Sequence, residues 1–218
     1  GIRPGGSMEE QGIPASIVTK YLRKRGIVVE KTGHYSFLIL FTLGITKGKS
    51  GTLLAELFRF KALYDRNSPL EEVFPDLVRQ YPARYAERGL RDLCQEMHEH
   101  LREKSIAEMV RNVYSRLPEQ VMTPAEAYRR LVRGEVTPVP ASDLEGRTVA
   151  VMVVPYPPGI PVIMPGERCG PETRAIVDYL RSSEEFNALF PGFENEVHGV
   201  DVVTEGDRRV YYVYCVEE

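Results

Sequence analysis

The sequence predicts an α+β fold, because three helix patterns precede a buried strand and the chain closes with a β-hairpin pattern. Amphipathic helices with clear start signals occupy residues 68–134, where apolar residues recur at intervals of three and four. Strand patterns follow at residues 149–154 and 197–216, and a turn interrupts the second in the manner of a β-hairpin. A combination of helices with antiparallel strands is typical of the α+β class.

The composition is that of an ordinary globular chain of 218 residues with a formal net charge of −3. Lysine and arginine are interspersed with acidic residues, so we expect no nucleic-acid partner. The apolar runs fall far short of the roughly 20 residues that a spanning helix needs, so no membrane partner is expected. Three cysteines without Cys-x-x-Cys spacing predict neither disulfides nor zinc, and they fit a reducing cytoplasm best.

Three segments are expected along the chain. Residues 1–8, with their glycine-rich start, are interpreted as a cloning remnant and left out of the fold. The chain changes character before Ser68, where a strong helix start follows. We therefore place a domain boundary there, which gives domains over residues 9–66 and 67–218.

The first domain is predicted to contain a helix, a strand pair and a second helix. The first helix starts after Pro14 and ends at Gly26. Strands are predicted at Ile27–Val29 and Tyr35–Thr42, because both segments are rich in β-branched and aromatic residues. A helix begins near Lys49, and its apolar residues cover so much of its girth that we expect it between two layers.

The second domain is predicted to begin with a helix capped by Ser68, which has Glu71 as its capping-box partner. Thr123 repeats this pattern and starts a helix that Gly134 ends. The other predicted elements are helices over residues 90–101 and 110–117, a buried strand over 149–154, a helix from Pro171, and a hairpin of 197–204 and 209–216 around Glu205-Gly206-Asp207.

The loop after the buried strand is the most constrained part of the chain. Prolines at positions 155, 157, 158 and 161 fix φ and favour an extended, polyproline-like arm. Tyr156 is therefore expected on a rigid mount. Two interpretations stay open: the loop is a structural turn that packs one tyrosine, or it positions Tyr156 to hydrogen-bond a ligand.

Several kinds of catalytic site are not indicated by the sequence. The four histidines have no metal-ligand spacing, since His98 and His100 point to different sides of one predicted helix. No Gly-x-Ser-x-Gly elbow occurs. The glycines and lysines of residues 46–51 lack the spacing of a phosphate loop. No metal site and no nucleophilic triad are therefore predicted.

A charged cluster, Glu30-Lys31-Thr32-Gly33, comes directly after the first predicted strand. A solvated strand end explains it in structural terms. In functional terms, a carboxylate in a partly dry pocket would pair with an ammonium group and discriminate against an uncharged side chain. Both interpretations remain open from the residues alone.

Segments throughout the chain resemble the C-terminal region of the bacterial ornithine/lysine/arginine decarboxylases, and most of all the lysine enzymes. The segments that carry the resemblance are Ile13-Pro14-Ala15, residues 26–35, Phe74-Pro75-Asp76-Leu77, residues 93–98, Thr123-Pro124, residues 155–161 with 164–167, and Phe190-Pro191-Gly192-Phe193-Glu194. The resemblance implies the end of the small subdomain of an aminotransferase-like fold in residues 9–66. It implies the family's mixed α/β C-terminal domain in residues 67–218.

The family resemblance also implies an activity and a cofactor. These acid-stress enzymes use pyridoxal phosphate to remove CO2 from a basic amino acid; lysine, which gives cadaverine, is favoured here, with arginine or ornithine as alternatives. The family's Schiff-base lysine follows a histidine, and no His-Lys pair occurs in this chain. The resemblance therefore implies that no catalytic or cofactor-binding residue lies here, and that the chain alone is inactive.

Four residues are implied in substrate binding. The glutamate that matches Glu30 lies close to the distal amine of the substrate in the family, with Lys31 and Thr32 beside it. Tyr156 is expected to line the entrance or wall of the same pocket.

The resemblance also implies homodimers and larger rings, and an alternative is that the segment from Ser68 onward serves mainly in such assembly. Some lysine enzymes of the family bind ppGpp near the segment that matches residues 60–64. Ala62 stands where arginine is expected, so we expect no ppGpp control.

Overall fold

A computed structural model describes residues 1–206 and 208–217, with the backbone alone for Arg208. The chain divides into two compact units, unit 1 (Gly1–Glu103) and unit 2 (Lys104–Glu218). Both contain helices and antiparallel strand pairs, which confirms the predicted α+β class. Within the described ranges, no helix combines the length and the apolar content that crossing a bilayer requires.

Unit 1 is built mainly from helices. They are, in chain order, α1 (Ala15–Lys24), α2 (Lys47–Asp65), α3 (Leu70–Val73), α4 (Pro75–Gln80), α5 (Pro82–Tyr85) and α6 (Leu90–Glu103). The predictions of α1 and α6 are confirmed, since Ile17 and Leu22 of α1 and Leu93 and Met97 of α6 are buried. Each helix thus presents one apolar stripe to the core of the unit.

The strand pair of unit 1 is much shorter than predicted. β1 (Lys31–Thr32) pairs antiparallel with β2 (Phe37–Leu38). The prediction of a strand at Ile27–Val29 is wrong, because the backbone amide of Ile27 donates to the carbonyl of Leu22 at 3.0 Å and closes the end of α1. Beyond Leu38, the second predicted strand has no strand partner in the described part of the chain.

Helix α2 leaves most of its apolar surface exposed. Only Phe60 and Leu63 are buried, whereas Phe58 is 72% exposed and Leu54 is 58% exposed. The prediction that this helix lies between two layers is therefore wrong for the chain as it stands.

The predicted helix start at Ser68 is also wrong in detail. The hydroxyl of Ser68 accepts a hydrogen bond from Arg66 Nε at 2.6 Å, and α3 begins after Pro69 without a side-chain cap. Pro75 and Pro82 lack the backbone N–H that a continuing helix needs, and each begins a new short helix. Three short helices therefore replace one amphipathic helix.

Asn67 caps the start of α6 from a distant position in the sequence. Its side-chain oxygen accepts hydrogen bonds from the backbone amides of Arg91 and Asp92, at 2.8 and 3.2 Å. Gly89 makes room for this amide, since a Cβ atom at position 89 would lie 2.1 Å from Asn67 Oδ1. The predicted boundary before Ser68 thus falls inside unit 1, and the first unit continues to Glu103.

Unit 2 combines helices with several short sheets. Its helices are α7 (Ile106–Val113), α8 (Pro124–Val132) and α9 (Arg174–Leu189), with 3₁₀ turns at Ala141–Asp143 and Pro171–Thr173. Its strands are β3 (Glu119–Gln120), β4 (Val136–Pro140), β5 (Val154–Tyr156), β6 (Glu167–Arg168), β7 (Glu196–His198), β8 (Asp201–Glu205) and β9 (Arg208–Val216). Strand β9 lies between β4 and β8, β3 pairs with β6, and β5 pairs with β7.

Two predictions for unit 2 are confirmed closely. β8 and β9 form the expected antiparallel hairpin, except that Val197 and His198 of its first predicted strand belong to β7 and pair with β5; Asp207 of the predicted turn lies outside the described residues. Thr123 and Glu126 form the capping box of α8, with the Glu126 amide 3.3 Å from the Thr123 hydroxyl and the Thr123 amide 2.9 Å from the Glu126 carboxylate. The helix predicted from Pro171 begins with a 3₁₀ turn and continues as α9.

The strand predicted to be buried at residues 149–154 is irregular and only partly buried, since Met152 is 44% exposed. Val149 and Val153 are fully buried, whereas only Val154 belongs to a regular strand, β5. The Val149 amide donates to the Glu167 carbonyl at 2.9 Å, and the Ala150 amide donates to the Tyr214 carbonyl at 2.8 Å. The segment is therefore hydrogen-bonded to neighbours on both sides.

Candidate functional site

The charged cluster of unit 1 lies on the β1–β2 hairpin. The backbone amide of Glu30 donates to the Leu38 carbonyl at 2.9 Å, and Lys31 and Thr32 pair with Leu38 and Phe37 in the strand register. Glu30 and Lys31 are exposed, and neither side chain has an ion-pair partner among the described residues. The hairpin therefore presents an unpaired carboxylate that could accept an ammonium group.

His34 follows this cluster directly and was not singled out by its sequence pattern. Its Nε2 atom is buried and has no hydrogen-bond partner within the described ranges. Burial lowers the pKa of His34 to about 4, so its imidazole is neutral near neutral pH. The only sequence signal for His34 is its position directly after the Gly33 turn. The backbone carbonyl of His34 accepts a hydrogen bond from the Ala15 amide at 2.8 Å.

A second histidine of unit 1 is part of a hydrogen-bonded chain. Tyr35 Oη lies 2.6 Å from His98 Nδ1, and His98 Nε2 lies 3.0 Å from the carbonyl of Glu9. Because that carbonyl can only accept, we assign the proton to Nε2 and the donor role to the Tyr35 hydroxyl. His98 is fully buried and burial lowers its pKa, so this network is structural.

Tyr156 lies in unit 2, at the end of β5. It pairs with Glu196 of β7 in the strand register, and its ring is tilted against the His198 ring with centroids 4.8 Å apart. The Tyr156 residue is 43% exposed. The ring is therefore supported on one side and open to contact on the other.

The loop that follows Tyr156 is a turn, so the prediction of an extended, polyproline-like arm is wrong. The Gly159 amide donates to the Pro155 carbonyl at 2.7 Å, and the Tyr156–Pro157 and Pro157–Pro158 peptide bonds are cis. Gly159 has φ +76°, and a Cβ atom there would lie 2.7 Å from the Tyr156 ring. The prediction that Tyr156 sits on a constrained loop nevertheless agrees with this geometry.

A surface groove of about 380 Å³ lies beside β7. Asn187 lines it, donating to the Asn195 carbonyl at 2.9 Å and to Tyr211 Oη at 2.7 Å while accepting from the Asn195 amide at 2.8 Å. The polar groups of Asn187 are thus satisfied by the fold. In the described part of the chain, no cluster of three or more potential metal ligands occurs.

The four predicted substrate-binding residues are divided between the two units. Glu30, Lys31 and Thr32 belong to unit 1 and share the hairpin, whereas Tyr156 belongs to unit 2. Within each unit, the predicted residues lie at least partly exposed at strand ends.

The residues of this chain do not fit pyridoxal phosphate. That cofactor needs a lysine amine for the Schiff base and an acidic partner at the pyridine nitrogen, both in a shielded pocket. None of the seven lysines is buried, and no aspartate in the described ranges is buried. Lys24 and Lys104, for example, are paired with Asp76 and Glu185.

Comparison with known proteins gives matches along the whole chain. The family model described as the C-terminal domain of Orn/Lys/Arg decarboxylase matches residues 107–217, and the model of the major domain matches residues 1–49. The second match includes residues 1–8, which the sequence interpretation placed outside the fold.

Individual relatives agree with these family matches. The chain is 52% identical over 218 residues to lysine decarboxylase LdcA of Pseudomonas aeruginosa. This match covers 100% of the chain and 29% of that protein. It is 42% identical over 217 residues to the biodegradative arginine decarboxylase of Escherichia coli, covering 100% of this chain and 28% of that protein. The structure of the E. coli constitutive lysine decarboxylase matches with a TM-score of 0.93 and 40% identity, covering 100% of this chain and 30% of that one.

Proposed function

The chain belongs to the Orn/Lys/Arg decarboxylase family, and we propose that it works as the C-terminal part of a longer enzyme that removes CO2 from a basic amino acid. Lysine is the favoured substrate, with cadaverine as the product. The observation that supports this choice is the 52% identity over 218 residues to a lysine decarboxylase. Arginine and ornithine are the alternatives.

Glu30 would recognise the distal amine of the substrate. Its carboxylate is exposed on the hairpin and unpaired within the described ranges, so an ammonium group would gain a charge-assisted hydrogen bond there. Lys31 and Thr32 would form the adjoining wall of the pocket. Tyr156, which is 43% exposed in unit 2, would contribute an aromatic contact to the substrate in the full-length enzyme.

The test of Glu30 uses the full-length enzyme and the Glu30→Ala variant. Loss of a hydrogen bond to a charged group corresponds to roughly 1.5–3 kcal/mol, so kcat/KM for lysine should fall about 10-fold to 100-fold. Glu71→Ala, which removes an exposed carboxylate from α3, is the matched control and should leave kcat/KM unchanged. Unchanged kinetics in Glu30→Ala would remove Glu30 from the substrate site.

Substrate class is tested by CO2 release from lysine, arginine and ornithine at mildly acidic pH, with the full-length protein reconstituted with pyridoxal phosphate. Turnover of lysine alone is expected. Preference for arginine or ornithine would move the assignment to another branch of the family, and turnover of none would defeat the catalytic proposal.

Pyridoxal phosphate would be held by parts of the enzyme outside this chain. The support is that neither a buried lysine nor a buried aspartate is present among the described residues. The 218-residue chain alone should therefore release no CO2 from lysine when pyridoxal phosphate is added.

A second candidate function is assembly of the enzyme into dimers and rings. Large apolar side chains are exposed over residues 38–58, including Leu40 at 61%, Phe41 at 58% and Phe58 at 72%. We call this set of side chains the apolar surface of unit 1. It precedes Ser68, whereas assembly was predicted for the segment from Ser68 onward. Phe41→Ser should lower the mass of the full-length protein in light scattering if this surface joins subunits.

Control by ppGpp is not part of the proposed function. Ala62 is exposed on α2, where it offers no charged group to a phosphate. Micromolar binding of ppGpp to the full-length protein would overturn this expectation.

A further inference from the structure

The proline loop over residues 155–161 has little capacity to hydrogen-bond to itself. Four of its seven residues are prolines, which have no backbone N–H. The Gly159 amide satisfies the Pro155 carbonyl at 2.7 Å. The carbonyls of Pro157 and Ile160 are satisfied from outside the loop.

Two tyrosine hydroxyls supply those external bonds. Tyr179 Oη of α9 donates to the Pro157 carbonyl at 2.7 Å, and Tyr114 Oη, just after α7, donates to the Ile160 carbonyl at 2.9 Å. Tyr179 is 3% exposed and fixed within the core of unit 2. Burial raises the pKa of both phenols, so both stay protonated and able to donate.

Tyr156 lies between the anchored end of β5 and this turn. Its ring packs over Gly159, whose missing Cβ leaves the space, and its backbone is paired with β7. Displacement of the Pro157 carbonyl would therefore move Pro157, which follows Tyr156, and Gly159, which lies beneath the Tyr156 ring.

We infer that Tyr179 and Tyr114 are positioning residues that clamp the proline loop and thereby fix the orientation of Tyr156. This inference rests on the proposed role of Tyr156 as a pocket wall. Tyr179 contributes more than Tyr114, because its hydrogen bond is buried and that of Tyr114 is exposed. A buried carbonyl that loses its donor cannot be compensated by water.

Amide hydrogen exchange of the 218-residue chain, measured by NMR, tests the clamp directly. In Tyr179→Phe, which keeps the buried ring, exchange at Gly159 should accelerate about tenfold. At Ala150 and Val216, the exchange rate should change less than twofold. Their amides donate to the backbone carbonyls of Tyr214 and Thr148, respectively. Tyr128→Phe makes the same chemical change on the exposed surface of α8 and should change none of these rates. Equal acceleration at all three amides, or none at Gly159, would overturn the clamp.

Steady-state kinetics of the full-length enzyme test whether the clamp acts through Tyr156. Tyr179→Phe should raise KM for lysine severalfold with kcat within twofold, whereas general damage to the fold would lower the active fraction and leave KM unchanged. Tyr156→Phe tests the pocket role separately. If exchange at Gly159 accelerates but Tyr156→Phe leaves KM unchanged, the proposed role of Tyr156 fails and the clamp stands. If Tyr156→Phe raises KM but Tyr179→Phe does not, the positioning role is overturned.

Discussion

The two units of the chain differ in where they leave large apolar residues exposed. In unit 2, α9 buries Ile176 and Leu180 completely, and the central strand β9 buries Val213. In unit 1, Leu40 after the hairpin and Phe58 of α2 are more than half exposed. Both units therefore have a buried core, but unit 1 also concentrates exposed apolar side chains over residues 38–58.

This difference teaches that apolar pattern alone does not decide burial. Each apolar face needs a second layer to cover it, and unit 2 supplies its own through α9 and the β4–β9–β8 sheet. The family's C-terminal domain model covers residues 107–217, nearly the same range as unit 2. Unit 1 keeps an apolar surface of the kind that marks an interaction site.

Replacing one leucine in each unit gives the largest expected contrast. Leu180→Ala should destabilise unit 2 by about 2–5 kcal/mol, because it removes a fully buried side chain and leaves a cavity. Leu54→Ala, at a site that is 58% exposed, should change stability by less than about 0.5 kcal/mol. Similar costs at both positions would show that the surface around Leu54 is covered in solution.

Cysteine labelling during urea unfolding distinguishes the units in this test. Cys94 lies in unit 1, and Cys169 and Cys215 lie in unit 2; all three are buried. Burial raises the pKa to about 12 for Cys94 and Cys169 and to about 11 for Cys215, so the native thiols should be unreactive. In Leu180→Ala, labelling of Cys169 and Cys215 should shift to lower urea, whereas Cys94 should keep its midpoint.

Acid should sharpen the contrast by weakening unit 1. Burial lowers the pKa of His34 from 6.5 to about 4, so the unfolded chain binds the proton first as pH falls. The contribution of His34 to stability is therefore complete above about pH 6.5 and is lost towards pH 4, by at most about 3 kcal/mol. Buried His98 acts in the same direction.

Unit 2 should respond differently to the same change. Its only histidine, His198, is exposed, and burial raises the pKa of Glu184, whose contribution is present at low pH and lost as pH rises through its folded pKa. Pulsed hydrogen exchange with mass spectrometry at pH 7 and pH 5 would follow both units. His34→Gln should remove part of the acid sensitivity of unit 1, and an unaltered pH dependence would contradict the assignment.

Helix caps give the smallest expected contrast. Thr123→Ala removes a reciprocal capping box from α8 in unit 2 and should cost about 1 kcal/mol. Thr46→Ala removes one long cap bond of 3.4 Å from α2 in unit 1 and should cost less. Equal shifts in urea midpoint for the two variants would show that the second half of the capping box adds nothing.

Local sequence signals predicted the elements whose determinants lie within the elements themselves. The Thr123-x-x-Glu126 pattern contains both partners of the cap of α8, and the periodicity of α6 follows from its own buried face. The hairpin β8–β9 was likewise clear from its pattern. These elements needed no information from distant residues.

The remaining elements depend on partners that are distant in sequence. Ser68 looked like a cap, yet its hydroxyl accepts from Arg66, and the nearby Asn67 caps α6 instead. Strand β4 was missed because Pro138 and Pro140 argue against a strand, although β9 pairs with it along its whole length. The turn after Tyr156 depends on hydroxyls from two separate helical regions, which no local pattern reveals.

The contact between Asn67 and Gly89 has a consequence for the family's evolution. Any side chain at position 89 would displace the amide that caps α6, since even a Cβ atom would lie 2.1 Å from its oxygen. A larger residue at position 89 therefore requires the Asn67 side chain to move away from α6, and the cap then needs a new source. Across relatives, these two positions should covary, and the pair should be inherited as a unit.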